Sequence, residues 1–334
     1  MKVTHNGKEL DIRALWMEGS KVRFIDQKIL PHRFEFVDAS TVEEVARFIE
    51  DMTVRGAPSI GAAGAYGMAM AQITDMDLAE AAKRLKRTRP TAFDLFYGVD
   101  SMLATASEGR DLVEAAEKYV TQIAEKCRKI GEHGNSLIKD GFTILTHCNA
   151  GALATIDYGT ALSPIRAAHK GGKKIHVFAD ETRPRLQGAA LTSWELVQEG
   201  IPHDIIPDNA AGHFMQRGEI DMVIVGADRI AANGDFANKI GTYEKAVCAK
   251  ENGVPFYTAA PVSTFDFSLA SGMDIPIEER SQDEVRYVGK ELICPEKATA
   301  RNPAFDMTPA RYVTGIITEA GIFKPGELKR ENLQ

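Results

Sequence analysis

Cysteine is scarce in this chain of 334 residues, and its four positions, Cys127, Cys148, Cys248 and Cys294, form no C-x-x-C pair. The eight histidines form no H-E-x-x-H or H-x-H motif. Neither a disulfide framework nor a zinc or other metal site is therefore predicted. Unpaired cysteines at such distances are typical of a protein in the reducing cytosol.

Long apolar runs and basic runs are also missing. No window approaches the ~20 consecutive apolar residues of a membrane helix, and MKVTHNGKELDIRALW has no signal-peptide core. The net charge of −7 makes nucleic acid an unexpected partner. The apolar content of 44% and the charged content of 26% are those of a globular protein. We expect a soluble cytoplasmic protein with room for two domains.

Common cofactor motifs are absent as well. The glycine-rich segment RGAPSIGAAGAYG lacks the G-x-G-x-x-G spacing and does not follow a strand pattern, and the chain contains no Walker P-loop. Nicotinamide and nucleoside-triphosphate enzymes are therefore disfavoured, and no cofactor is expected.

The first part of the chain has the apolar spacing of α-helices. It begins with a short predicted hairpin, in which MKVTH and DIRALWME flank the turn-forming NGK. Thr41 and Glu44 form a capping box that starts the first helix. Residues 1–135 are thus predicted to be a mainly helical N-terminal domain with a small β element.

The pattern changes near Gly141, where short apolar runs begin to alternate with helical segments. The predicted strands are FTILTH, KIHVFAD, HDIIPDN, MVIVGAD and PFYTAA, and a helix is predicted after each of the first four. This alternation indicates a parallel sheet covered on both faces. We predict an α/β domain over residues 136–334, joined to the first domain by a linker between about Glu132 and Gly141.

Cys148 follows the first predicted strand directly. Ligands bind outside the carboxyl ends of parallel strands, and a strand-to-helix junction offers free N–H groups that lower a thiol pKa or hold an anion. The alternative is a small buried thiol under the following helix.

Asp228 follows the fourth strand, where an apolar wall would raise its pKa and make it a general acid. The alternative for Asp228 is a helix or turn cap.

Several segments offer groups that bind anions. Arg55, with the first amides of the helix that starts at Gly56 and Ala57, makes an anion site; the glycines of this helix also suit close helix packing. Arg89 ends a basic stretch and is fixed by the following proline. Gln187 lies near the end of the second strand, and Asn238 and Lys239 lie at a predicted helix start, where a solvated lysine is the alternative. A thiol, an acid and several cations suit cofactor-free proton chemistry on a small phosphorylated metabolite.

Seven segments carry a family resemblance: RGAPSIGAAGAYG, RPTAFDLF, LTHCNAGALAT, DETRPRLQGA, DNAAGHFM, VGADRIAANGDFANKIGTY and AAPVSTFD. In this order they resemble the S-methyl-5-thioribose-1-phosphate isomerases of methionine salvage, over nearly the whole chain. That family is related to the regulatory subunits of the translation initiation factor exchange complex and to archaeal ribose-1,5-bisphosphate isomerases.

The resemblance implies a Rossmann-like C-terminal domain, a homodimer, and conversion of 5-methylthioribose 1-phosphate into 5-methylthioribulose 1-phosphate. It implies that Cys148 is the catalytic cysteine and Asp228 the proton donor. The substrate-binding positions that it implies are Arg55, Gly56, Ala57, Arg89, Gln187, Asn238 and Lys239.

The chain departs from the family pattern at two places. Phe93-Asp94 stand where valine-asparagine is usual, and Tyr97-Gly98 replace tryptophan-alanine. If these residues lie near the 5-substituent, 5-deoxyribose 1-phosphate is an alternative substrate, because apolar contacts to a methylthio group are worth only ~1–3 kcal/mol. Ribose 1,5-bisphosphate as the substrate and a non-catalytic regulatory role are two further hypotheses.

Overall fold

The computed structural model describes residues 1–90, 92–327 and 329 of the chain. Thr91, in the segment RPTAFDLF, lies outside the described residues, as do Leu328 and residues 330–334, which belong to the predicted second domain.

The predicted N-terminal hairpin is present, with its first strand and its turn as expected, but its second strand was predicted wrongly: it is Lys8–Asp11, and of DIRALWME only Asp11 belongs to it. Strands Lys2–His5 (β1) and Lys8–Asp11 (β2) pair antiparallel around Asn6 and Gly7. Both turn residues have positive φ, as a tight hairpin turn requires. The following residues form a separate three-stranded sheet of Leu15–Glu18 (β3), Lys21–Ile25 (β4) and Phe36–Ala39 (β5).

Helices make up the rest of the first 135 residues: Val42–Glu50 (α1), Ala57–Ile73 (α2), Leu78–Lys86 (α3), Phe93–Ser107 (α4) and Leu112–Asn135 (α5). The α1 cap is confirmed, since Thr41 Oγ1 accepts from the Glu44 N–H at 3.2 Å. The Glu44 carboxylate accepts from the Ser40 N–H instead of completing the box at Thr41. Helix α2 is apolar all round because the other helices surround it.

The second part begins with β6 and alternates as predicted. Its elements in chain order are Thr143–Thr146 (β6), Ala152–Thr155 (α6), Leu162–Lys170 (α7), His176–Asp180 (β7), Ser193–Gln198 (α8), His203–Ile206 (β8), Ala211–Gln216 (α9), Met222–Val225 (β9), Arg229–Ala231 (β10), Phe236–Lys239 (β11), Thr242–Glu251 (α10), Phe256–Ala259 (β12), Phe265–Asp266 (β13), Asp283–Arg286 (α11), Tyr287–Val288 (β14), Glu291–Leu292 (β15), Phe305–Thr308 (β16), Gly315–Thr318 (β17) and Gly321–Phe323 (β18).

The main sheet has the order β18-β17-β12-β9-β6-β7-β8. Its strands run parallel except for β18, which pairs antiparallel with β17. Strand β9 is buried along its whole length, as in a sheet covered on both faces. The predicted fold class, a mainly helical part with a small β element followed by a Rossmann-like sheet, is confirmed.

The junction between the two parts is shorter than predicted. Helix α5 runs to Asn135 and β6 begins at Thr143, so Glu132 is still helical. The division into domains at residues 135 and 136 stays a prediction. In the part of the chain that the structure describes, no helix combines the length and low polarity needed to cross a membrane.

Two predicted helices are wrong in part. The segment after β9 is first a hairpin, in which β10 and β11 pair antiparallel around a turn at Gly234, and only then helix α10. These strands join β13 and β16 in a second sheet, and β16 lies more than sixty residues further along the chain. The helix expected up to Lys170 is split into α6 and α7, because Ile156, Tyr158 and Gly159 have positive φ.

Helix α5 packs against α7 through two glycines. A Cβ atom on Gly131 would lie 2.3 Å from Ser163 Oγ, and one on Gly134 would lie 2.4 Å from Pro164 Cγ. Ser163 Oγ also donates to the Cys127 carbonyl oxygen of α5 at 2.8 Å. The helical part is therefore held against the sheet part by a close helix–helix approach.

Gly134→Ala is expected to lower the free energy of unfolding by about 1–3 kcal/mol, because the rigid Pro164 ring leaves no room for the added methyl group. This loss would occur although alanine is the better helix former by about 1 kcal/mol. Urea unfolding measures the effect. Gly326→Ala is the control, since no atom lies within 4 Å of its Cβ position. Equal stability of Gly134→Ala and wild type would contradict the packing described.

Candidate active site

The strand order of the main sheet reverses between β6 and β9. From β6 the chain proceeds outward to β7 and β8, and from β9 it proceeds the other way to β12 and β17. The connections diverge at this point and leave a crevice outside the carboxyl ends of the two strands. Cys148 follows β6 and Asp228 follows β9, so the two candidate catalytic residues lie on either side of the reversal.

The nine residues singled out in the sequence line one cavity at this crevice. They are Arg55, Gly56, Ala57, Arg89, Cys148, Gln187, Asp228, Asn238 and Lys239. The first four come from the helical part and the others from the sheet part. The cavity therefore lies where the two parts meet.

Cys148 has a strained backbone. Its φ of +63° lies in the left-handed region, which costs a residue other than glycine roughly 1–2 kcal/mol. Two threonines hold this conformation: the Cys148 N–H donates to Thr182 Oγ1 at 2.8 Å, and Thr192 Oγ1 donates to the Cys148 carbonyl oxygen at 2.6 Å. Such strain at a cavity wall is typical of functional residues.

The helix amides expected beside Cys148 are not free. Helix α6 begins four residues later, and the N–H groups of Ala152 and Leu153 both donate to the carboxylate of Glu195, at 2.8 and 3.2 Å. Glu195 lies in α8, so this interaction has no local signature in the sequence. The expectation that these amides act on the thiol or on an anion is therefore wrong.

Lys239 supplies positive charge next to Cys148 instead. Its side chain is buried, and Nζ donates to the Ala304 carbonyl oxygen at 3.0 Å and lies 4.6 Å from the centre of the Phe305 ring. Burial lowers the pKa of Lys239 to about 8, against the opposing effect of Cys148. Lys239 ends strand β11 rather than starting a helix, and its burial shows that it is not a solvated lysine.

Asp228 is the only carboxyl group among the predicted residues. Its carboxylate accepts no hydrogen bond from any residue within the described ranges, and a strand follows it, so a cap role is not supported. Burial raises the pKa of Asp228, and the charges of Lys239 and Arg55 oppose this shift. The group is therefore biased towards the protonated form that a general acid needs.

Four arginines line the cavity, Arg55, Arg89, Arg229 and Arg280, and the last two were not among the site residues predicted from the sequence. Burial and the positive charge of Arg280 lower the pKa of Arg89 to about 10. Arg280 donates to Glu278 at 3.1 Å, while its Nε is buried and has no partner among the described residues. With Arg55, these guanidinium groups form a cationic surface that suits a phosphate. Arg280 was missed because it lies outside any helix or strand, in a segment, residues 271–304, that has only short elements and shows no motif or periodicity.

The first turn of α2 is open towards the same cavity. Gly56, its N-terminal cap, has a φ of +92°, and a Cβ atom there would lie 2.5 Å from Ala154 Cα. No side chain caps this end of the helix within the described residues. Gln187 Oε1 is buried and has no hydrogen-bond partner among the described residues. Asn238 Nδ2 donates to Thr242 Oγ1 at 2.9 Å. These groups leave donors and acceptors available to a polar ligand.

His147 lines the cavity and belongs to a buried polar cluster. Its Nδ1 is 2.7 Å from Asp180 Oδ2 and its Nε2 is 2.8 Å from the Ile240 carbonyl oxygen. Together with Asp208 these two side chains have the spacing of metal ligands. However, Lys245 Nζ lies 3.6 Å from Asp180 Oδ2 and already provides the cluster with a positive charge. The residues present therefore fit an ion-paired cluster better than a metal site.

The two positions that depart from the family pattern lie at the edge of the cavity. Phe93 lines the cavity itself, whereas Asp94 and Tyr97 line a smaller pocket that shares Pro58 and Pro261 with it. Burial, followed by the nearby Asp228, raises the pKa of Asp94 to about 7. A second buried carboxyl group thus lies close to the proposed acid. Whether these residues face the 5-substituent stays a prediction.

Comparisons with known proteins agree on one family. The model of the initiation factor 2 subunit family matches residues 53–325. A methylthioribose-1-phosphate isomerase from Acetivibrio thermocellus is 53% identical over 322 residues, which cover 91% of this chain and 94% of that protein.

Two solved structures are similar over nearly their whole length. The 5-methylthioribose 1-phosphate isomerase of Pyrococcus horikoshii is 44% identical, with a TM-score of 0.88, covering 97% of this chain and 95% of that chain. A structure described as translation initiation factor eIF-2B, subunit delta, from A. fulgidus is 43% identical, with a TM-score of 0.85, covering 94% and 96%. The fold is thus shared by proteins with two different descriptions.

The affinity for a phosphate monoester is expected to fall as the pH rises through about 8, by up to tenfold per pH unit, because Lys239 loses its charge there. The monoester itself is a dianion throughout this range, since its second pKa is about 6. In Lys239→Arg the charge persists and the affinity should stay constant between pH 7.5 and 9.5. Titration calorimetry measures both, and an equal fall in both proteins would rule out Lys239 as the cause.

Asp94→Asn is expected to stabilise the protein at alkaline pH. Asp94 ionises at about pH 4 in the unfolded chain but only at about pH 7 in the folded protein. The free energy of unfolding therefore falls as the pH rises between these two values. The gain from the substitution should therefore be about 2–3 kcal/mol larger at pH 8 than at pH 5. Urea unfolding at both pH values measures it. Asp100→Asn, at an exposed carboxylate paired with Lys86, is the control, and the same pH dependence in both variants would contradict the burial effect.

Proposed function

We propose that this chain, which belongs to the initiation factor 2 subunit family, is an aldose–ketose isomerase of methionine salvage that converts 5-methylthioribose 1-phosphate into 5-methylthioribulose 1-phosphate. The observation that carries the proposal is the placement of Cys148 and Asp228 on either side of the strand-order reversal, facing a cationic cavity. Two methylthioribose-1-phosphate isomerases that are 53% and 51% identical to this chain, over 91% and 96% of its length, support the proposal.

The substrate phosphate binds to the cationic side of the cavity in this proposal. Arg55, Arg89 and Lys239 provide charge, and the uncapped first turn of α2 provides N–H groups. Gly56 matters because a side chain there would collide with Ala154 and keep the α2 amides away from the cavity. Gln187 and Asn238 are proposed to bind the sugar hydroxyl groups.

Ring opening is the first chemical step. A phosphate on the anomeric carbon prevents the spontaneous opening that free sugars undergo, so the ring oxygen needs a proton when the bond from C1 to that oxygen breaks. Asp228 is proposed to give this proton, and its raised pKa favours the protonated form.

Hydrogen transfer from C2 to C1 is the second step. In one route Cys148 takes the C2 proton as the base, an enediol-type intermediate forms, and the proton returns to C1. C2 becomes the ketone as its hydroxyl loses a proton, which restores the acid form of Asp228. In the other route hydride moves directly and Cys148 stabilises charge. In either route Lys239 provides a positive charge that interacts electrostatically with Cys148.

The second candidate function is that of a regulatory subunit, favoured by the A. fulgidus structure described as an initiation factor subunit. Such a subunit would need the fold but neither a thiol nor an acid in the cavity. Cys148 has a strained backbone, and the Asp228 carboxylate accepts no hydrogen bond from the described residues. The presence of both residues supports the isomerase.

The same proposal includes a two-domain organisation, a homodimer and a cytoplasmic location. Residues 1–135 and 136–334 are proposed as the domains, supported by the cavity between them, to which both contribute. The homodimer rests on the family resemblance. The cytoplasmic location is supported by four free cysteines, which a reducing compartment maintains.

Cys148→Ala and Asp228→Asn are each expected to lower kcat by roughly 10²- to 10⁴-fold, because each removes a proton-transfer group. Binding of the sugar phosphate should change by only a few fold. Cys248→Ala, a partly buried cysteine outside the cavity, is the control and should keep wild-type turnover. Near-normal turnover in either test variant would remove that residue from the mechanism.

The assay offers 5-methylthioribose 1-phosphate, 5-deoxyribose 1-phosphate and ribose 1,5-bisphosphate to the wild type and follows the ketose product. Preference for the methylthio sugar is expected. Preference for another of the three would reassign the substrate, and binding without turnover on any of them would favour the regulatory subunit.

A further inference from the structure

Arg55 is held in place by a neutral residue. Its NH1 donates to Asn149 Oδ1 at 2.9 Å, and its NH2 donates to the Asn149 carbonyl oxygen at 2.8 Å. A guanidinium group has five N–H donors in a fixed plane, so three remain for other acceptors. The plane of Arg55 is thereby fixed through the side chain and the main chain of a single residue.

No carboxylate among the described residues forms an ion pair with Arg55, and the two hydrogen bonds to Asn149 add no negative charge. Carbonyl and amide oxygens accept hydrogen bonds without adding a negative charge, whereas a carboxylate at the same place would form an ion pair and cancel the attraction for an anion. Asn149 therefore orients the guanidinium group and leaves its positive charge for a ligand in the cavity.

Asn149 is itself fixed from behind. Its Nδ2 donates to Glu195 Oε1 at 2.9 Å and to Thr192 Oγ1 at 3.2 Å. These two bonds use both amide hydrogens and leave Oδ1 for Arg55, so they also determine which way the amide group faces. An amide turned the other way would present two donors to Arg55 and repel it.

Glu195 is fully buried, and its charge is balanced away from the cavity. Its Oε2 accepts from Arg166 NH2 at 2.6 Å, and the α6 amides described above complete its hydrogen bonds. Arg166 also pairs with Glu199 at 3.0 Å. Glu195 does not line the cavity. Glu195 therefore has its ion-pair partner, Arg166, outside the cavity, and it reaches Arg55 only through Asn149.

We propose that Asn149 and Glu195 are positioning residues of the phosphate site: Glu195 orients the Asn149 amide, and Asn149 holds Arg55 in its anion-binding orientation with its charge free. This inference rests on the proposed function in one respect, namely that Arg55 binds the substrate phosphate.

The same group of residues connects the anion site to the thiol. Asn149 directly follows Cys148, and Thr192 contacts both of them. Arg55 comes from the helical part of the chain, whereas Asn149 and Glu195 belong to the sheet part. The distance between the phosphate site and Cys148 is thus set across the junction by one hydrogen-bonded network.

A double-mutant cycle tests the inference. Glu195→Gln, Arg55→Ala and the double variant are compared with wild type by the Kd for inorganic phosphate and by KM and kcat. Glu195→Gln is expected to raise Kd and KM roughly threefold or more in the wild-type background, with a smaller change in kcat, and to change neither when Arg55 is absent. An equal effect in both backgrounds would overturn the inference, because Glu195 would then act without Arg55.

Glu199→Gln is the matched control, since Glu199 pairs with the same Arg166 but makes no contact with Asn149. It should leave Kd and KM unchanged, and a rise equal to that of Glu195→Gln would show that general loosening of the cluster is responsible. Thermal unfolding of each variant verifies that it is folded at the assay temperature.

Asn149→Asp keeps an acceptor for Arg55 but adds a negative charge, so it serves where Glu195→Gln does not fold. It should raise the Kd for phosphate more than Asn149→Ala does, and a smaller rise would contradict the role of a neutral acceptor.

Phosphate binding is measured without turnover. Absence of isomerase activity in the wild type would therefore refute the proposed function, while the cycle on Kd would still decide whether Glu195 positions Arg55.

Discussion

The reversal of strand order between β6 and β9 is the constraint on which the site depends. Two neighbouring strands send their connections in opposite directions, and the space between those connections cannot be filled by the sheet's own loops. The helical part covers this space with the first turn of α2 and with Arg55 and Arg89. Each of the nine predicted site residues lies at one of three places: after β6 or β7, after β9 along the β10–β11 hairpin, or at the ends of the covering helices.

The cavity concentrates charge in a place where charge is unfavourable. Burial lowers the pKa values of Lys239 and Arg89 and raises that of Asp228, so each group is shifted towards its neutral form. A dianionic ligand would oppose the pKa shifts of the cations and add to the pKa shift of the acid. The same low-polarity surroundings thus strengthen the attraction between the cations and a phosphate and favour the protonated form of Asp228.

Proteins described as isomerases and as initiation factor subunits share this fold at similar identity to the chain. The fold alone therefore does not decide between the two functions. The features of this chain that suit an isomerase are local: a thiol on a strained backbone, a carboxyl group without hydrogen bonds from the described residues, and an arginine, Arg55, that is held by a neutral residue. Asp94, a second buried carboxyl group beside this site, is a feature of this chain that the general fold does not require.

Local patterns in the sequence were sufficient for the α/β class, for the strands β6, β7, β8, β9 and β12, and for the positions of Cys148 and Asp228. Apolar periodicity and turn residues act over a few residues, and strand ends follow from them. The tertiary structure alone decided that the residues after Asp228 form a hairpin, because β16 pairs with it from far along the chain. It also decided that Glu195 occupies the α6 amides, that Arg280 enters the cavity and that Asn149 orients Arg55. These outcomes depend on which distant side chains the fold brings within hydrogen-bonding distance, and no local pattern records that.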